Sequence, residues 1–338
     1  MFINVDKAEI QEEWDKMAKT KQSILENKTL GHVIAVLFYV TVGYFLFIAA
    51  SNMNYIWKWT SVPKYFVYEK ITSIEAPFDG VVKIKENGTV VLSNDTDSKE
   101  LQIPSGYKLV VDSGDELYEY DAIASTTSWA KGPLLNGLLT TLKISGSAAI
   151  LAFSIGILLA FMRLSNYQFF KDIAIAYITV IRGTPLLVQI FIFYFIIATI
   201  FDLERFLAGI LSLGIFFGAY IAEVIRGAIQ SIDKGQYEAA KSLGMNYFQT
   251  MAYIIMPQAL KRALPTLVGE MIALVKDSSL VSIISITDLT KVGREIVANT
   301  FSPFETWIII AGMYFCITAL LAYIGGIWEK KMEASGGM

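Results

Sequence analysis

Residues 233–264 read Asp233-Lys-Gly-Gln-Tyr-Glu-Ala-Ala-Lys-Ser-Leu-Gly-Met-Asn-Tyr-Phe-Gln-Thr-Met-Ala-Tyr-Ile-Ile-Met-Pro-Gln-Ala-Leu-Lys-Arg-Ala-Leu264, a polar interruption in an otherwise apolar second half. Glu238 to Leu243 are compatible with one short helix, and Gly244 lets the chain leave it at positive φ. Glu238 is expected at the helix start, where the dipole favours a negative charge. Ala239, Ala240 and Gly244 keep one side small, so that another surface can approach closely. Lys234, Lys241, Lys261 and Arg262 give the loop the positive bias of a cytoplasmic segment. Two readings are open: an elbow that docks a cytoplasmic protein, or an ordinary connecting helix.

Working outward, the flanks are apolar. Hydrophobic residues make up 54% of the 338 and charged residues 17%, with a mean hydropathy of +0.49, so the chain belongs in a membrane. Uncharged or nearly uncharged runs at 31–50, 135–162, 174–200, 206–226, 264–287 (with breaks) and 306–328 are long enough to cross the hydrocarbon core as helices. Six spans place both termini on the same side. Lysines at 7, 16, 19, 21, 28, 330 and 331 assign that side to the cytoplasm. The expected fold class is therefore an all-α polytopic membrane protein with six transmembrane helices and one small β domain.

The expected domains are a cytoplasmic amphipathic segment over 1–30, whose helix spans 7–26; a transmembrane anchor over 31–57; an extracytoplasmic β domain over 58–130; and a five-helix domain over 131–338. In the third, runs at 80–84, 89–92 and 107–111 are separated by Asn87-Gly88, Asn94-Asp95 and Ser113-Gly114. It carries 12 Asp and Glu against 7 Lys, a net charge of −5, as befits an outward-facing insert. Its Ile74-Glu-Ala-Pro-Phe-Asp-Gly-Val-Val82 string and the later Gly106 and Gly114 turns resemble the barrel-sandwich fold of biotinyl and lipoyl carriers. No Met-Lys-Met or Asp-Lys-Ala string accompanies them, so a carrier role is not expected. A platform for a binding protein and a structural cap are both open.

Ionisable groups inside a bilayer are expensive unless paired or facing a cavity. Arg182 precedes Gly183-Thr184-Pro185, and Pro185 cannot bond the carbonyl of Ile181, so a kink is expected there. It would expose a binding cavity or serve packing alone. Glu270 and Asp277 are two helical turns apart on one face, with Lys276 and Ser278 adjoining, which offers donors and acceptors to a zwitterion or pairs the groups with each other. Glu223 and Arg226, at i and i+3, form a structural pair or an inner gate. Gly214 and Gly218 have small-xxx-small spacing, for packing within the subunit or between subunits.

Glu238-Ala-Ala, Gly244 and Pro257-Gln-Ala together resemble the cytoplasmic coupling loop of ATP-binding-cassette importer permeases. The stretch 222–280, with Arg182-Gly-Thr-Pro-Leu-Leu-Val-Gln189 and Lys276-Asp-Ser-Ser-Leu280, resembles their polar amino-acid branch, and the likeness extends over about 134–330. Met256 stands where that family usually has Leu, and Gly269 where Asn is frequent. The resemblance implies a type I importer permease core in which Glu238, Ala239, Ala240, Gly244 and Pro257 couple to an ATPase, and Arg182, Thr184, Gln189, Glu270, Lys276, Asp277 and Ser278 approach the substrate. It also implies partners: two ATP-binding-cassette ATPase subunits, a second permease copy or paralogue, an extracytoplasmic solute-binding protein and an amino acid. The setting is the bacterial cytoplasmic (inner) membrane and its lipid.

The chain has no Gly-x-x-x-x-Gly-Lys-Ser/Thr loop to hold ATP, so ATP and Mg are expected on the partner ATPase and no cofactor on this chain. One cysteine, Cys316, and one histidine, His32, provide neither a disulfide nor a Cys/His metal cluster, and no Ser/His/Asp set for hydrolysis is available. No catalytic or metal residue is expected. Neither is a nucleic-acid role, at a net charge of −3. A membrane scaffold or sensor and a carrier driven by an ion gradient are the alternatives.

Overall fold

The computed structural model describes residues 28–53, 55–85 and 88–334. The amphipathic helix expected over 7–26 and Asn87 of the Asn87-Gly88 turn lie outside the described residues. The chain divides into two compact units, one ending at Trp57 and the other starting at Lys58. The first contains α1 (Lys28–Ser51), a single helix of 24 residues with no Asp or Glu. It is apolar on every side, as a span must be. Its Thr41 and Ser51 hydroxyls donate to the carbonyls of Leu37 and Phe47 one turn back, so neither polar group is left for lipid to solvate.

The second unit opens with a short helix, α2 (Val62–Phe66), and seven strands: β1 (Val67–Glu75), β2 (Gly80–Ile84), β3 (Val90–Ser93), β4 (Ser98–Leu101), β5 (Lys108–Leu109), β6 (Glu116–Leu117) and β7 (Ala122–Lys131). They form two sheets, ordered β1-β7-β5 and β4-β3-β2-β6. The two longest strands, β1 and β7, are not marked by the turn residues that betray the others. They form an antiparallel ribbon from Val67 opposite Lys131 to Glu75 opposite Ala122. The ribbon's far end holds its own core of Ala76, Val82, Val90, Leu92, Val111 and Ile123.

The rest of the described residues are mainly helical. α3 (Pro133–Leu164) starts on proline, which suits a first turn. α4 (Gln168–Arg182) and α5 (Leu186–Ile192), the latter continued by a π-helical turn over Phe193–Ala198, are bent by 106° across Gly183-Thr184-Pro185. α6 (Arg205–Gln230) is followed by the short α7 (Lys234–Ser242). α8 (Met256–Asp277) ends in a 3₁₀ segment, Ser278–Ile284, and α9 (Leu289–Thr300) and α10 (Pro303–Ala334) close the chain.

Among the described residues, five of the six expected spans qualify by length and apolarity alone. By length and apolarity, α1, α3, α6 and α10 qualify as spans, and the bent α4–α5 pair makes five. The stretch expected as a sixth span at 264–287 starts earlier, inside the polar loop, and α8 carries Lys261, Arg262, Glu270, Lys276 and Asp277. Its composition alone does not pass it as a span, although it packs on α6 and α10.

The main core joins α3 and α6 through Ile144, Ala148, Ala152, Leu213, Phe217 and Ile221. The glycine spacing is used within the subunit. A Cβ at Gly214 would stand 2.6 Å from Leu151 Cδ2 and one at Gly218 2.8 Å from Ile155 Cγ2, both on α3. A second cluster holds the ribbon's base to the helices: Tyr65 and Phe66 pack against Leu134, Leu289, Val292, Ile296 and Ile310. Lys58 fixes the same junction, its backbone N–H donating to the buried Glu305 carboxylate and its Nζ to Thr300 O at 2.7 Å.

Candidate functional site

The elbow is built from its ends inward. Asp233, not Glu238, caps α7: its carboxylate accepts the N–H of Gly235 at 2.6 Å. The helix therefore starts four residues earlier than the run of helix formers indicates, and Glu238 stands exposed in its middle. Gly244 leaves the helix at φ +77°, and Met245 N–H closes on Ala240 O at 3.1 Å. Ala240 is buried, while Glu238, Ala239 and Gly244 face outward together with Leu243 and Phe248, at 80% and 81% exposure. Tyr237 is half-buried, and burial pushes its phenol above the ordinary value, so it stays neutral at physiological pH.

Side-chain bonds carry the elbow into the helices. Gln258 Nε2 donates to Gln236 Oε1 at 3.2 Å and to Ile254 O at 2.8 Å. Arg262 donates to both the carbonyl and the hydroxyl of Ser231. Pro257 is exposed where a π-helical turn over Thr250–Ile255 passes into α8, and the backbone is helical on both sides of that passage. Gln258 thus joins α8 to α7, and Arg262 joins α8 to the end of α6.

The second site lies at the α4–α5 break. Gln189 is buried and its Nε2 donates to Ile181 O at 2.8 Å, to Thr184 Oγ1 at 2.8 Å and to Thr184 O at 3.3 Å. It supplies the donor that Pro185 withholds from Ile181, and so it holds the bend rather than facing outward. Among the described residues its Oε1 is buried without a hydrogen-bond partner. Thr184 Oγ1 in turn donates to Val180 O at 3.0 Å. Arg182 is exposed at the lip, its guanidinium carbon 5.0 Å from the Tyr220 ring centroid. It is electrostatically coupled to Glu223 and to Glu270. Glu223 and Arg226 form a two-pronged pair at 3.1 and 2.8 Å, and Arg163 joins Glu223 at 3.5 Å from α3. Sequence spacing does not reveal Arg163, because only the fold brings it to α6.

The structure separates the cluster expected around Lys276. Glu270 and Asp277 keep a common face, but Lys276, six residues from Glu270, points elsewhere at about 100° per residue. It lines a different cleft, of about 320 Å³, with Thr290, Trp307 and Tyr314. Ser278 is buried and its hydroxyl donates to Val275 O at 2.8 Å, closing the helix end. Among the described residues, no group of three or more His, Cys, Asp or Glu is placed to hold a metal.

Comparison with known proteins places this architecture. Residues 152–334 match the family described as the binding-protein-dependent transport system inner membrane component. The chain belongs to that family. This permease is 38% identical over 209 residues to the glutamine transport system permease protein GlnP of Escherichia coli K12, covering 61% of this chain and 95% of that one. It is 36% identical over 204 residues to the arginine transport system permease protein ArtQ of Bacillus subtilis, at 60% and 93% coverage. Among solved structures, the permease resembles an amino acid ABC transporter crystallised with histidines at 40% identity and a TM-score of 0.55, over 59% of this chain and 94% of that one. It also shares the fold of the MetNI methionine ABC transporter at 18% identity and a TM-score of 0.51, over 59% and 95%. The family is a permease family of the membrane, whose description itself calls for a binding protein.

Proposed function

We propose that the permease imports polar amino acids across the bacterial cytoplasmic membrane, with both termini cytoplasmic, driven by ATP hydrolysis on a separate ATPase. The observation that carries this reading is the elbow: a capped, exposed helix with bare Leu243 and Phe248, tied by Gln258 and Arg262 to a helix that bears the polar groups Glu270 and Asp277. The partners are two ATPase subunits that hold ATP and Mg, a second permease copy or paralogue, and a binding protein outside. The chain itself is non-catalytic. Closure of the ATPases moves α7, and α8 passes the motion towards Glu270 and the broken helix with Arg182 and Thr184. Family relatives named for glutamine and arginine transport support the amino-acid class.

The test is uptake of labelled amino acids, with ATPase activity, in proteoliposomes holding the permease, its genome-neighbouring ATPase and its binding protein. Glu238→Lys is expected to abolish uptake while the chain remains folded. Undiminished uptake in that variant would sink the coupling assignment and favour the gradient-driven carrier.

A further inference from the structure

The ribbon of β1 and β7 is two-stranded at its base. β5 joins β7 only at Ser125 and Ala124, so among the described residues the stretch from Val67 opposite Lys131 to Thr72 opposite Thr126 pairs only within itself. Directly opposed residues of an antiparallel pair put their side chains on the same face, and successive pairs alternate. One face therefore carries Val67 with Lys131, Glu69 with Trp129 and Ile71 with Thr127; the other carries Tyr68 with Ala130, Lys70 with Ser128 and Thr72 with Thr126. The first face holds the large apolar side chains and is bare: Val67 is 42% exposed, Ile71 69% and Trp129 73%. Ile71 and Trp129 are diagonal neighbours across the pair, within side-chain reach of each other, so they form one patch.

The patch begins where a membrane span begins. β7 ends at Lys131, and Pro133 is the first residue of α3, which qualifies as a span by length and apolarity. The junction is fixed: Gly132 N–H donates to Phe66 O at 2.6 Å, Asn136 Nδ2 donates to Lys131 O at 3.3 Å, and Phe66 packs in one cluster with Leu134. Trp129 stands two residues up the strand from Lys131, about 7 Å at the rise of a β-strand, and the headgroup layer on each side of the hydrocarbon core is about as deep. A tryptophan at that level, with a lysine on the same face below it, is the composition of a membrane–water boundary: the indole lies among the headgroups and the ammonium reaches their phosphates.

We propose that the face of Val67, Ile71 and Trp129 is a lipid-contact surface, by which the ribbon rests on the phospholipid headgroup layer around the start of α3. The three apolar side chains enter the boundary between headgroups and acyl chains, Lys131 meets lipid phosphate, and the face with Lys70 and Ser128 stays in water. The bilayer is the occupant because it already surrounds the span to which the patch is joined, so the same lipid continues from α3 onto the ribbon. The ribbon then leans on the membrane instead of standing free, and lipid, together with the base, sets the direction in which it carries the distal core. Neither the direction of transport nor the identity of the solute enters the inference.

Ile71→Cys and Ser128→Cys, each in a Cys316→Ala background, place an environment-sensitive fluorophore on one or the other face of the ribbon in the full complex reconstituted in phospholipid vesicles. A nitroxide carried at shallow depth on the lipid acyl chain should quench the Ile71→Cys label about twofold more than the Ser128→Cys label, because collision requires the label to lie at the headgroup–acyl boundary. Iodide in the water should quench the two in the reverse order. Trp129→Glu in the same chains should bring both labels to equal quenching. Val67→Cys repeats the measurement on the same face should Ile71→Cys fold poorly. Equal lipid quenching of the two faces with Trp129 in place overturns the inference, and so does a difference that Trp129→Glu leaves intact. Shielding of the Ile71→Cys label from iodide without lipid quenching, or only once the binding protein is added, also overturns it and gives the face to a protein. Uptake measured on the same vesicles tests the import reading separately, and its loss would leave the lipid result standing.

Discussion

Gln189 shows what a single residue does at a broken helix. The proline two turns into the pattern announces the bend, because the lost N–H and the ring are properties of Pro185 itself. The clamp is not announced, since nothing local says that a glutamine four residues later folds back on Ile181 and Thr184. Gln189→Leu should therefore destabilise the permease by about 1 kcal/mol, the net worth of the lost hydrogen bonding to Ile181 O and Thr184. Thermal unfolding of the detergent-purified chain checks this, and a wild-type midpoint would refute the clamp. Gly244 is the opposite case, legible from the sequence and found at φ +77° with open space where a Cβ would go. Gly244→Ala is then strained through its backbone alone, by about 1–2 kcal/mol, and Gly244→Asn should be milder. Helical content and ATPase binding of the two variants, compared, measure that order.

At the scale of elements, apolar length located α1, α3, α6 and α10 almost to their ends, because a bilayer demands about 20 apolar residues and little else. It is a weaker guide to α8, which starts at Met256 inside the polar loop and carries Lys261, Arg262, Glu270, Lys276 and Asp277 while packing on α6 and α10. The run of helix formers from Glu238 misplaced the start of α7, which the Asp233 carboxylate caps four residues earlier. Strands β2 and β3 were visible between their turns, whereas β1 and β7 have few turn residues to frame them. The glycines of α6 illustrate a pattern whose meaning only packing decides: Gly214 and Gly218 bring the helix onto Leu151 and Ile155 of α3. Gly218→Val should overpack this contact and cost about 1–3 kcal/mol. A lowered melting temperature, with dimer formation unchanged in crosslinking, is the expected pair of results. Loss of dimer at an unchanged melting temperature would move the glycines to an interface between subunits.

For the whole molecule, the two cores of the β region imply a division of labour. The ribbon's base is part of the helical body, through Tyr65, Phe66 and the contact of Lys58 with Glu305. Its far end folds around Val82, Leu92 and Ile123 without them. GlnP and ArtQ are matched over 93–95% of their length by about 60% of this chain, so a permease core of this family is complete without such a domain. Glu75 and Ala122 are paired neighbours at the ribbon's end, and an Asn-Gly turn joining them would replace residues 76–121 and close a two-residue hairpin. The shortened chain should insert into the membrane and support the basal ATPase activity of its partner. Stimulation by the binding protein is the reading that discriminates. If stimulation is lost while basal activity stays, the distal core is a platform for that protein; if both stay, it is a cap. Loss of both would mean that the distal core is needed to fold the base, and the separation of the two cores would not hold.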